Sequence, residues 1–222
     1  MRFSGSIFAL YAVFGLAIPM IMISIFTPSP GELYIEPSLL RPSLTCQVNH
    51  PVRIPAIDKA GSNSLGSAWR AANEKAIYKI APETGIKIYR LTLLRTFREP
   101  IIVRLEEDPK GRVRITSSQL AGQGGYPPWF LERQASRQLS RVEIADFKKD
   151  LAAAKLPSLQ PAICQYGADG ETWTFEVNEN GRYVFVRRWG VWNGPLRELG
   201  DNYLRLTGWD LRPLPYSGKG PQ

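Results

Sequence analysis

Histidine and cysteine are nearly missing from this chain: one His, at His50, and two Cys, Cys46 and Cys164, in 222 residues. A single imidazole argues against a catalytic histidine pair or a multi-histidine metal site. Two thiols are too few for a four-thiolate zinc site or a disulfide-dense miniprotein. A phosphate-cradling loop is missing as well, since Gly122-Gln123-Gly124-Gly125 lacks the Lys-Ser/Thr that would complete it. There is no nucleophile elbow, and no internal repeat long enough for a solenoid. No catalytic residue, metal ligand or cofactor is assigned from the sequence. The bulk composition, 44% hydrophobic, 11% aromatic and 22% charged, is that of an ordinary globular chain and excludes collagen, coiled coil and wholesale disorder.

Charge is missing from residues 7–26. A helix of about twenty residues spans the roughly 30 Å hydrocarbon core of a bilayer. Arg2 and the α-amino group lie upstream, and the first downstream charges are Glu32 and Glu36. The positive flank predicts an N-in orientation across an inner membrane, with everything after Thr27 outside. No small-x-small site follows the run, because Ser24-Ile25-Phe26 is bulky there, so a retained anchor is favoured over a cleaved leader. Cleavage and release to the periplasm is the alternative.

Residues 28–65 are rich in proline, with Pro28, Pro30, Pro37, Pro42, Pro51 and Pro55, and read as an extended spacer. His50 falls in it as an exposed residue. The domain proper is expected over 66–212, followed by a flexible tail over 213–222. From residue 66 onward there are 24 Lys and Arg against 17 Asp and Glu, so nearly all of the net charge of +8 is carried there.

The pattern predicts α+β: two antiparallel hairpins plus a strand, with three short helices. A first helix fits 66–80, with Trp69, Ala72, Ala76 and Ile80 on one face. Strands follow at 86–95 and 101–106, the second returning through Asp108-Pro109-Lys110-Gly111, a type I turn signal, into 112–116. Ser140 and Glu143 form a capping box for a helix over 140–154, stapled by Leu139 and Ile144. A second hairpin joins 171–177 to 182–189 through Glu179-Asn180-Gly181. Read as a three-residue loop, it sets Phe175 against Phe185 and Trp173 against Arg187. A last helix runs over 195–206, with Pro195 at its first position and Gly208 beyond its end. This arrangement leaves one sheet face to pack helices and the other solvated.

Two sets of residues carry chemistry. Cys46 and Cys164 are expected to form a disulfide in an oxidising compartment. Arg187, Arg188, Arg197 and Arg205 cluster with Trp173, Trp189, Trp192 and Trp209, which suits an anion. Export favours anionic envelope polymers over nucleic acid. Glu171 and Glu176 are five apart, so a strand places them on opposite faces.

Asp169-Gly170, Trp173, Glu176, Gly181-Arg182-Tyr183, Arg188-Trp189 and Gly194-Pro195 carry a resemblance. DG-x-x-W-x-x-E followed by GRY-x-x-x-x-RW resembles a group of uncharacterised proteobacterial envelope proteins over residues 140–209, about a third of the chain. The resemblance implies bacterial origin and a small α+β envelope or accessory module, with no activity attached. The expected function is therefore a membrane-anchored, non-catalytic envelope binding module, partnered by the membrane through 7–26 and by an envelope protein or polymer. An envelope hydrolase using carboxylates and arginines, and a secreted inhibitor or immunity-type protein, are the alternatives.

Overall fold

The computed structural model describes residues 34–211 except 48–49, 123–126, 128, 166 and 168. The expected membrane segment and the tail over 213–222 lie outside the described residues, as does most of the loop at 122–128. Among the described residues no helix is long and apolar enough to cross a membrane.

The fold is α+β, with three α-helices and two antiparallel sheets. A small hairpin pairs β1 (Pro42–Gln47) with β2 (Pro51–Pro55). The main sheet contains β3 (Lys87–Arg95), β4 (Arg98–Glu107), β5 (Val113–Ala121), β6 (Phe130–Gln138), β7 (Glu171–Glu179) and β8 (Arg182–Trp189), in the order β6-β5-β4-β3-β7-β8. The helices are α1 (Lys59–Ala71), α2 (Arg141–Ala154) and α3 (Pro195–Leu206).

Helices α2 and α3 cover one sheet face, on which the odd-numbered side chains of β3, β4 and β7 form the main core. Leu91, Leu93, Val103, Leu105, Trp173 and Phe175 are buried there with Phe147 of α2 and Leu199 and Tyr203 of α3. Phe147 meets Tyr89 and Tyr203 edge-on, with ring centroids at 5.4 and 5.1 Å. Such pairs add about 0.5–1.5 kcal/mol each beyond burial. The capping box of α2 forms as expected, with Ser140 N–H donating to Glu143 Oε2 at 2.8 Å and Glu143 N–H to Ser140 Oγ at 3.3 Å. Pro195 opens α3, and Gly208 follows its end with φ of 70°.

The opposite face differs from the solvated surface expected of it. The segment from Tyr34 to Ala72 covers it, so the described part of the expected spacer is folded rather than extended. Ile35, Leu39, Ala56, Ile57, Leu65, Ala68 and Trp69 build a second core with Ile102 and Phe185. Its prolines occupy places that need no ladder donor: Pro42, Pro51 and Pro55 at strand ends, Pro37 at the start of a 3-10 turn. Helix α1 starts seven residues earlier than expected because Asp58 caps it, its Oδ1 accepting from Gly61 N–H at 2.7 Å. The buried stripe is Leu65, Ala68, Trp69 and Ala72, a helical repeat that ends before Asn73 turns left-handed at φ 55°. Ala76 and Ile80 fall outside the helix.

Two further corrections concern strands. Strand β6 was not anticipated, and all nine of its residues are exposed at the sheet edge. The β7–β8 turn has two residues, Asn180 and Gly181, at φ 53° and 77°, the type I′ geometry whose twist matches the flanking strands. The register therefore shifts by one: Phe175 faces Val186 and Trp173 faces Arg188.

Candidate functional site at the end of strand β8

Chemistry-bearing side chains gather in two places. The first is the buried polar face of the sheet. Arg90 is wholly buried, its Nε donating to Glu176 Oε2 at 2.7 Å and its Nη1 to Glu74 Oε2 at 3.2 Å and to Lys75 O at 2.9 Å. The Trp69 ring lies 4.1 Å from its guanidinium carbon, and Trp69 Nε1 donates to Thr92 Oγ1 at 2.8 Å. Tyr183 O–H donates to Glu176 Oε1 at 2.7 Å, and Arg104 pairs with Glu74 at 3.0 Å. Burial and the adjacent Glu176 carboxylate raise the Tyr183 phenol well above its ordinary value, so it stays a donor. Arg90 Nη2 is ion-paired with Glu176 Oε2 at 2.6 Å as well, so the buried charges are paired with one another, and the group forms a scaffold.

The second place is the end of β8. Cys46 of β1 and Cys164, 118 residues apart in sequence, form a disulfide with Cα atoms 5.5 Å apart. It holds the loop leading into β7 against the N-terminal hairpin. The loop is fastened at its ends too, through Arg187 N–H to Pro161 O at 2.7 Å and Thr96 N–H to Gly170 O at 2.9 Å. Its glycines touch Trp189. A Cβ on Gly167 would fall 1.8 Å from Trp189 Cζ2 and one on Gly170 2.9 Å from it, so glycine is required for the indole to lie there. Trp192 meets Trp189 at 86° with centroids 6.3 Å apart, and the two indoles form a corner.

Two cavities meet at this corner and share Trp189 and Gln165. One, about 270 Å³, is walled by Pro55, Asp58, Ile163, Thr172 and Arg187. The other, about 420 Å³, is walled by Arg188, Val191, Trp192, Asn193 and Leu196. The second is within the size range of small-ligand sites and the first falls just short of it. Strand alternation separates neighbouring arginines, sending Arg187 toward the first cavity and Arg188 toward the second.

Arg188 is the electrostatic feature of the site. Its Nη1 donates to Arg187 O at 2.8 Å and its Nη2 to Gln160 O at 2.9 Å. Among the described residues no carboxylate pairs with it, and half-burial lowers its pKa because no neighbouring anion offsets the lost hydration. The other expected anion-binding residues sit differently. Arg197 is buried and paired, with Nε at 2.9 Å from both Asp201 oxygens and Nη1 donating to Val191 O at 3.1 Å. Arg205 is exposed in the last turn of α3, eight residues or about 12 Å of helix from Arg197. Trp173 is a core residue, and Trp209 stacks on Arg133 at 4.0 Å. The four arginines do not converge; only Arg187 and Arg188 border the cavities.

Glu171 and Glu176 do lie on opposite faces, the first beside Arg197 at 3.6 Å, the second against Arg90. Asp58 is the one carboxylate on the walls of these two cavities, and its Oδ1 caps α1, so neither cavity holds the acidic pair a glycosidase-type hydrolase needs. Among the described residues no group of three His, Cys, Asp or Glu is placed to hold a metal ion. His50 is exposed beside the β1–β2 turn. Gln165, Gly167 and Asn193 are site residues that sequence reasoning missed. They lie in loops with no periodicity, and only the folded chain brings them to Trp189. No protein-family model matches the chain, and no curated protein matches it.

Proposed function

We propose that this chain is a membrane-anchored bacterial envelope protein whose exported α+β domain binds an anionic ligand at the Trp189 corner without chemically changing it. The observation that carries the binding reading is Arg188: a half-buried guanidinium on a cavity wall, bonded to two carbonyls and, among the described residues, matched by no carboxylate. A desolvated cation in that state gains most from an incoming carboxylate or phosphate, which it meets with two parallel charge-assisted bonds. The envelope placement rests on the uncharged run at 7–26, on the Cys46–Cys164 bridge, which suits an oxidising compartment, and on the resemblance over 140–209.

Three measurements test the reading. A reporter that functions only outside the cytoplasm, fused after Gln222, is expected to be active; activity confined to a cytoplasmic reporter ends the anchored model. Sulfate or acetate titrated onto the purified full chain is expected to change tryptophan fluorescence, and Arg188→Gln to abolish the change. A mature N-terminus beginning near residue 28 would move the protein to the secreted alternative.

A further inference from the structure

We propose that the anion is carried on a sugar ring: the 420 Å³ cavity is a site for a carboxylate-bearing saccharide, a deepening that rests on the anion reading above. Three features of the walls select this class.

The first is the corner geometry. Indoles at 86° offer one platform and one upright wall. A flat nucleobase is held best between parallel rings or on one broad ring face. A puckered pyranose has an apolar C–H face for the platform and an equatorial edge for the wall. Gly167 and Gly170 back Trp189, and Gly190 backs Trp192, where a Cβ would fall 3.0 Å from the ring. Each half-buried indole is thus backed by glycine and borders the cavity.

The second is the polar complement. Gln165 and Asn193 are amides, each a donor and an acceptor. Hydroxyl and acetamido groups are donors and acceptors too, so they match both ends of each amide. Inorganic phosphate carries only about one or two P–OH donors at neutral pH, fewer than a ring bearing several hydroxyls, and so matches the two amide oxygens less completely.

The third is the charge count. One guanidinium, Arg188, faces this cavity with no acid beside it on the walls. A single carboxylate balances it. A polyphosphate brings more charge than the walls can neutralise.

The test is calorimetric titration of the full chain with four probes: N-acetylmuramic acid, which joins ring and carboxylate; N-acetylglucosamine, the ring alone; lactate, the carboxylate alone; and inorganic phosphate. N-acetylmuramic acid is expected to bind at least tenfold more tightly than each of the others. Arg188→Gln should bring it down to the level of N-acetylglucosamine, and Trp192→Ala down to the level of lactate, with melting curves recorded to verify folding. Asn193→Ala, at an exposed position, gives a second variant and should weaken the sugar acid but not lactate. Lactate or phosphate binding as tightly as the sugar acid, in an Arg188-dependent way, overturns the saccharide proposal and leaves the anion reading standing. Binding of none of the four probes overturns both.

Discussion

The two faces of the six-stranded sheet are held down by different physics. On the odd-numbered face, aliphatic and aromatic side chains meet α2 and α3 across an apolar core. On the even-numbered face, Arg90, Thr92, Thr174 and Glu176 are just as buried, yet they are polar, and the layer above them is the Pro-rich N-terminal segment. Apolar burial is forgiving in direction and strong per area. A buried charge network is stabilising only when complete, because each member left alone carries its full desolvation cost. The polar face also has the disulfide, which ties its covering layer to the loop before β7. One face is self-adhesive; the other is stapled and registered.

That contrast can be broken in order of size. Cys46→Ser with Cys164→Ser opens a loop of more than a hundred residues, and up to about 4–5 kcal/mol should disappear from denaturant unfolding. Hydrogen exchange should quicken first in residues 42–72. Equal quickening in α2 and α3 would mean that the two layers do not differ as argued.

Arg90→Ala strands Glu176 in the interior, while Glu74 retains Arg104. A loss of about 3–5 kcal/mol is expected. Arg90→Met with Glu176→Gln should recover most of it, since the amide still accepts from Tyr183 and no charge is stranded. On the apolar face Phe147→Ala should cost a similar amount, about 3–5 kcal/mol, with no second substitution of charge able to restore it. Recovery in the first case and none in the second, measured by chemical denaturation, is the sharpest form of the comparison.

The smallest effect is at the start of α2. The Arg137 guanidinium and the Ser140 N–H hold the Glu143 carboxyl at about 2, below its ordinary value of 4.5. Its folded pKa is depressed, so the stability it contributes is present above pH 4.5 and is lost as pH falls from there toward 2. Glu143→Gln should flatten that part of a plot of melting temperature against pH and cost about 1 kcal/mol at neutral pH.

How much of this was legible in the sequence varies by element. The capping box at Ser140 and Glu143 and the Pro195 start of α3 involve residues within four positions of each other, so local chemistry specifies them. The Asn180-Gly181 turn was equally local, but counting Glu179 into it shifted the register by one. Strand β6 was hidden because an exposed edge strand has no apolar alternation to display. Arg90, Thr92, Thr174 and Glu176 had the alternation of a solvated face. Their burial was not legible, since what covers them lies some twenty to a hundred residues away. Of the site, Arg187, Arg188, Trp189 and Trp192 stood out as basic and aromatic neighbours. Gln165 and Asn193 carried no signal, because a loop amide acquires a role only from what it faces.

By itself the sequence determined the α+β class, the apolar face and its helices, and the caps and turns that bound them, because these follow from backbone geometry and side-chain period over a few residues. The tertiary structure alone decided that the polar face is interior, that Arg188 is left on a cavity wall, and that two tryptophans meet at right angles. Those outcomes depend on which distant surfaces exclude water from one another, and no short-range pattern records that.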